Sequence, residues 1–188
     1  MPPPSLSSAV RFGFFTVTPQ VFHRTPHSFA LVNLRPLLPG HILVCPHRIE
    51  PHLSSLTPAE ISDLFLTVQN VQRTLKRVYN ATAFNVAVQD GVAAGQSVPH
   101  VHCHVIPRRE GDMDDRGGGD AIYEVMEGEE GNVGKHLREA EERKKRFKVD
   151  AERKDRSEGE MREEAEMLAR EIERDAKEGS QWGGGGRC

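Results

Sequence analysis

The run His100-Val101-His102-Cys103-His104-Val105 sets three imidazoles two residues apart. In an extended chain, side chains at i, i+2 and i+4 share one face and the residues between them take the other. This spacing therefore aligns His100, His102 and His104 and turns Val101, Cys103 and Val105 toward a core. A helix would scatter the same imidazoles around its axis. Four uses fit such a row. It is a surface strand that happens to carry histidines, or it is a zinc site with His41 as a ligand from elsewhere. It carries nucleophilic or acid–base chemistry on a phosphate, or it holds a nucleotide without turning it over.

The loop ahead of the row bears on the choice. Gly95-Gln96-Ser97-Val98 leads directly toward His100. Glycine lets backbone come close to a ligand, successive N–H groups can cradle an anion, and Ser97 adds a hydroxyl donor. Donors beside aligned imidazoles suit phosphoryl or nucleotidyl transfer, which needs a positioned attacker and fixed dipoles for developing charge. Asp90 is the one carboxylate nearby, and Asp90-Gly91 reads as a turn.

The elements that must position these groups are short. FGFFTV (12–17), QVFHR (20–24), SFALVN (28–33), HILVC (41–45) and AFNVAVQ (83–89) are rich in aromatic and β-branched residues and read as strands. PLLPG (36–40) and DGVAAG (90–95) separate them as a turn and a loop. Between the two last-named strands the period changes. Thr57-Pro58-Ala59-Glu60 is a capping box with proline at the first helical position. Ile61, Leu64, Phe65, Val68, Val71, Leu75 and Val78 then hold one helical stripe. Several short strands, one long helix and no βαβ alternation predict an α+β fold with an antiparallel sheet.

Past Arg109 the pattern changes. GDMDDRGGGD (111–120) reads as a flexible loop, and 135–156 is almost wholly charged, as in a solvated helix or disordered chain. Met161, Ala165, Leu168 and Ile172 restore a stripe and predict a C-terminal helix. The charge divides accordingly. Residues 1–109 carry 9 Lys/Arg against 4 Asp/Glu, and residues 110–188 carry 16 against 24. A mildly basic body that tolerates a polyanion is thus joined to an acidic tail. We divide the chain into a catalytic unit, 1–124, and a charged, partly helical or disordered tail, 125–188, that contributes no site residue. The three cysteines, Cys45, Cys103 and Cys188, read as reduced thiols of a cytoplasmic or nuclear protein. No apolar run is long enough to cross a bilayer, and MPPPSLSSAV lacks the apolar stretch of a signal peptide.

HVHCHVI (100–106) resembles the histidine-triad pattern, and the wider chain is similar to the fragile histidine triad branch, the dinucleoside polyphosphate hydrolases. RFG (11–13), SFALVN (28–33), RPLLPGHILVCP (35–46), QDGVAAGQSVPHVHCHVIPR (89–108) and, more weakly, DAIYE (120–124) carry the resemblance. It implies a homodimer with the sheet continued across subunits. It also implies hydrolysis of diadenosine polyphosphates, the triphosphate preferred, to AMP and ADP. His102 is then the nucleophile that forms an AMP-histidine intermediate, His104 contacts phosphate, His100 orients the row and His41 tunes His102. Gln89, Gly95, Gln96, Ser97 and Val98 hold phosphate oxygens, and Asn33 contacts the nucleotide on its ribose side. No metal or other cofactor belongs to the protein; Mg or Mn can arrive with the substrate. Neither nucleic acid nor membrane is implied as a partner. A nucleotide-binding signalling module with slow turnover and a nucleoside phosphoramidase of the same superfamily are the alternatives. Where relatives place a histidine near the base, this chain has Phe14 and Phe15, aromatic faces that suit stacking on adenine.

Plainer readings stand beside these. Asn33 precedes a proline turn and suits an Asx turn, and Gln89 suits an exposed strand end. His23, His27, His47, His52 and His136 read as surface residues, Arg108 and Arg109 as a solvated basic pair, and Tyr123 as either a surface tyrosine or part of a cover over the site.

Overall fold

The computed structural model describes residues 9–126 and 155–182. Among the described residues are seven strands: β1 (Arg11–Phe12), β2 (Phe15–Thr16), β3 (Val21–Arg24), β4 (Ser28–Val32), β5 (Ile42–Pro46), β6 (Ala83–Val88) and β7 (Cys103–Arg108). The helices are α1 (Pro58–Val78), α2 (121–126) and α3 (Glu158–Trp182). Strands β3 to β7 form one antiparallel sheet in the order β3-β4-β5-β7-β6, as the α+β reading expects.

Helix α1 begins where its capping box places it. The Thr57 hydroxyl accepts from the Glu60 N–H, and the Glu60 carboxylate accepts from the Thr57 N–H at 2.8 Å. Arg48 grips the same carboxylate through two nitrogens, which holds the Glu60 carboxyl down at about 2. Leu64, Val68, Val71 and Leu75 are buried, whereas Phe65 is 43 % exposed. Helix α3 starts on a second capping box, Ser157 with Glu160. Its stripe of Met161, Ala165, Leu168 and Ile172 is buried in the same core as α1. Thr74 and Arg77 of α1 bond to Asp175 of α3, the hydroxyl at 2.6 Å. Part of the segment read as a tail is thus a wall of the main core.

The two helices cover one face of the sheet, built from Ala30, Val32, Ile42, Val44, Val101, Cys103 and Val105. Two smaller apolar clusters lie apart from this core. Phe29, Leu31, Leu43 and Cys45 pack with Val10 and Val17. Ile106 packs with Leu37, Met113, Ile122, Val125 and Met126.

The structure differs from the sequence expectation at three places. FGFFTV is a hairpin of β1 and β2, because Gly13 at φ +55° reverses the chain there. The ladder of β7 begins at Cys103, so His100 and His102 lie ahead of it, although the alternation of faces persists. The 111–120 loop is anchored rather than loose, since Met113 is 2 % exposed and Arg108 binds Asp112 at 2.8 Å. Of 135–156, only residues 155 and 156 lie within the described chain.

Candidate active site

The imidazoles of His100, His102, His104 and His41 are all buried, and the proton on each is assigned by its neighbours. The Gly13 N–H donates to His100 Nδ1 at 3.0 Å, so that ring carries its proton on Nε2, which donates to the Pro46 carbonyl at 2.9 Å. Burial lowers His100 to about 4 and keeps it neutral. His102 Nδ1–H donates to the His100 carbonyl at 2.8 Å. Its Nε2 therefore holds the ring's lone pair.

His41 lies just ahead of β5. The Leu37 N–H donates to His41 Nδ1 at 3.1 Å, which puts the His41 proton on Nε2. That Nε2–H donates to His104 Nδ1 at 2.9 Å. A neutral His104 then carries its own proton on Nε2, as a hydrogen-bond donor. The rings of His102 and His104 meet edge-on with centroids 5.0 Å apart. One ring thus offers a lone pair and its neighbour a proton. Phe12 stands edge-on against His102 at 5.1 Å, so the N-terminal hairpin forms a wall of this row.

The remaining residues fall into two groups. Val88 pairs with Cys103, so the register carries Gln89 level with His102. Gln89 Oε1 is buried without a hydrogen-bond partner among the described residues. Such an atom costs about 1–3 kcal/mol unless something meets it, and a ligand hydroxyl or water would do so. Gly95 sits in the left-handed region at φ +96°. The N–H groups of Gly95 and Gln96 bond inside the loop, to the carbonyls of Val92 and Gly91. The Gln96 side chain donates to the Pro51 carbonyl at 2.8 Å. Those two residues therefore brace the loop, and its Ser97–Val98 end stands next to the row. Val98 is buried under Gly13, where an added Cβ would come within 2.6 Å of its side chain.

Asn33, at the end of β4, closes an Asx turn by accepting from the Arg35 N–H at 3.0 Å, and its Nδ2 lies 3.3 Å from His41 Nε2. Asn33 thus forms the expected Asx turn and lies beside His41. His52 pairs with Asp90 at 3.0 Å and so ties the Pro51–Leu53 segment to the loop. His52 is exposed, as the sequence reading expects, whereas Phe12 and Gly13 support the row without having been singled out for it. The RFG motif was the available signal. Tyr123 is exposed, with its hydroxyl 3.4 Å from Asn85 Nδ2. Among the described residues no group of three or more His, Cys, Asp or Glu side chains has metal-binding geometry.

Known proteins are similar to this chain over most of its length. A family model described as the HIT domain matches residues 16–111. The asymmetrical bis(5'-nucleosyl)-tetraphosphatase of Schizosaccharomyces pombe is 43% identical over 168 residues, covering 84% of this chain and 91% of that protein. The bifunctional bis(5'-adenosyl)-triphosphatase/adenylylsulfatase FHIT of Arabidopsis thaliana is 44% identical over 162 residues, covering 86% and 83%. Among solved structures, the Plasmodium falciparum diadenosine triphosphate hydrolase in complex with cyclomarin A superposes with a TM-score of 0.65 at 29% identity, over 89% of this chain and 86% of that one. With a family model matched over residues 16–111 and relatives of this kind over most of its length, the chain belongs to the HIT-domain family, in the fragile histidine triad branch.

Proposed function

We propose that the protein hydrolyses dinucleoside polyphosphates, diadenosine triphosphate foremost, at the α-phosphate. The observation that carries this reading is the orientation of His102, whose Nδ1–H is committed to the His100 carbonyl so that Nε2 is the nucleophile. Nε2 attacks the α-phosphorus in line. The bond from that phosphorus to the bridging oxygen breaks, its electron pair leaves with ADP, and AMP remains on His102 through a P–N bond. The His100 carbonyl stabilises the charge that the ring acquires. Water then attacks the phosphorus, the P–N bond breaks, the electron pair returns to Nε2, and AMP departs.

The other groups serve this path. His104 Nε2–H meets a phosphoryl oxygen, held to that role by the proton order that starts at the Leu37 N–H. Ser97 and the backbone around Val98 face the polyphosphate. Gln89 offers its amide protons to phosphate oxygens and its unpaired Oε1 to a hydroxyl or the attacking water. Asn33 faces the nucleotide from the His41 side. A divalent cation, Mg or Mn, rides with the polyphosphate. The working form is a homodimer joined through β6, an uncharged edge strand, AFNVAV, whose Val86 is 42 % exposed. It acts in the cytoplasm, and in the nucleus.

Two relatives are named for the tetraphosphate and the triphosphate respectively, so chain length is the property to measure first. Product analysis over diadenosine tri-, tetra- and pentaphosphate reads it directly. Denaturing quench during turnover should trap AMP on His102, labile to acid and stable to base. Two in-line displacements retain configuration at a chiral α-phosphorothioate. Inversion with no trapped nucleotide would replace this mechanism with direct attack by water.

A further inference from the structure

Arg156 lies outside the residues matched by the family model and belongs to the segment that its charge marks as a tail. Its side chain is 20% exposed and points inward. Nε donates to the Asn33 carbonyl at 3.1 Å, Nη2 donates to the same oxygen, and Nη1 pairs with Glu164 of α3. The Arg156 N–H donates to the Leu34 carbonyl, and Arg35 pairs with Asp155. Glu164 is fixed in turn by the Tyr79 hydroxyl at 2.6 Å. The peptide that carries Asn33 is therefore gripped along 33–35 by residues more than a hundred positions later. The Asn33 side chain lies beside His41, its Nδ2 3.3 Å from the ring's Nε2.

We infer that Arg156 is a positioning residue for the nucleotide site, holding Asn33 in place by its main-chain carbonyl independently of the other contacts that seat α3. The inference rests on the reading of Asn33 as a nucleotide contact. A guanidinium is suited to the task because its planar fork bridges a carbonyl and a carboxylate at once, which an ammonium cannot do with the same geometry. His41 is held separately by the Leu37 N–H, so loosening Asn33 should act on binding more than on the chemical step.

The test compares wild type with R156A, R156K and D175N in hydrolysis of diadenosine triphosphate and in equilibrium binding of AMP. D175N is the control for α3 seating alone, since Asp175, further along α3 than Glu164, bonds to Thr74 and Arg77 of α1. R156A should raise KM about tenfold with kcat within about twofold, R156K should fall between, and D175N should lower Tm without moving KM. Unchanged KM in R156A, or an equal rise in D175N, overturns the inference. If R156A does not fold, R156K decides: a severalfold rise in KM supports the inference and an unchanged KM overturns it. If wild type cleaves no dinucleoside polyphosphate, the proposed function falls instead. AMP binding then decides alone: about tenfold weaker in R156A sustains the inference, and equal affinity overturns it.

Discussion

At the scale of single residues, the site works by assigning protons. In the proposed mechanism His102→Asn removes the nucleophile and every later step with it, so turnover should fall by several orders of magnitude while calorimetry still detects binding. His100→Asn is milder. The bond that orients His102 goes to the main-chain carbonyl of residue 100 and survives the substitution, whereas the anchors to Gly13 and Pro46 weaken. Two buried hydrogen bonds at about 1 kcal/mol each imply a loss of roughly ten- to thirtyfold in kcat/KM. His100 also shapes the acid limit. Its folded value of about 4 lies below the ordinary 6.5, so between these values the unfolded chain binds the extra proton. Stability should fall as pH drops below about 6.5 and level off near 4. Tm measured from pH 7 to pH 4 should slope less in His100→Asn. His23 and His47, also lowered by burial, keep part of the slope. The triad and its facing were legible because strand geometry alone dictates them. The roles of Phe12 and Gly13 were not, because contact between residues 13 and 100 depends on how the chain returns, which local pattern does not encode.

At the scale of elements, α1 and α3 make a contrast. The apolar stripe of α1 stands out against few charges, and its start and, Phe65 apart, its buried face agree with the sequence. The stripe of α3 is equally regular though interleaved with many Glu and Arg residues, and it marks a helix, but the core that the helix joins is set by the tertiary fold. The signal that marks its start is Ser157-x-x-Glu160. Burying Met161, Leu168 and Ile172 contributes roughly 1.5–3 kcal/mol each, together comparable with the whole net stability of a small domain. Deleting residues 157–188 should therefore abolish the cooperative thermal transition, while Glu163→Gln, on the outer face, should leave it alone. On α1, Glu60 is held at about 2 first by its bonds to Arg48, then by the cap of Thr57. A lowered carboxyl stabilises above the ordinary 4.5 and loses that contribution as pH falls toward 2. Glu60→Gln should thus lower Tm at pH 7 and match wild type near pH 2.

At the scale of the whole molecule, the sheet ends in β6, six residues without lysine, proline or a bulge to discourage pairing. Sedimentation at micromolar concentration should give a mass near twice the 21.0 kDa chain, and Val86→Lys should shift it toward the monomer. No spacing in the sequence forecasts which edge is open, since that follows from the strand order. A last consequence comes from the proton order of His41, His102 and His104 together with neutral His100. In the proposed reaction the polyanion meets oriented dipoles at the triad, and the groups assigned to it among the described residues include no arginine or lysine. Dipoles exert short-range forces that dissolved ions barely screen, whereas a clamp of fixed cations loses its hold as counter-ions crowd in. Raising sodium chloride from tens to several hundred millimolar should therefore slow capture, through the modestly basic body, far more than it slows cleavage of substrate already bound. Single-turnover rates at saturation should stay nearly flat across a range over which kcat/KM declines.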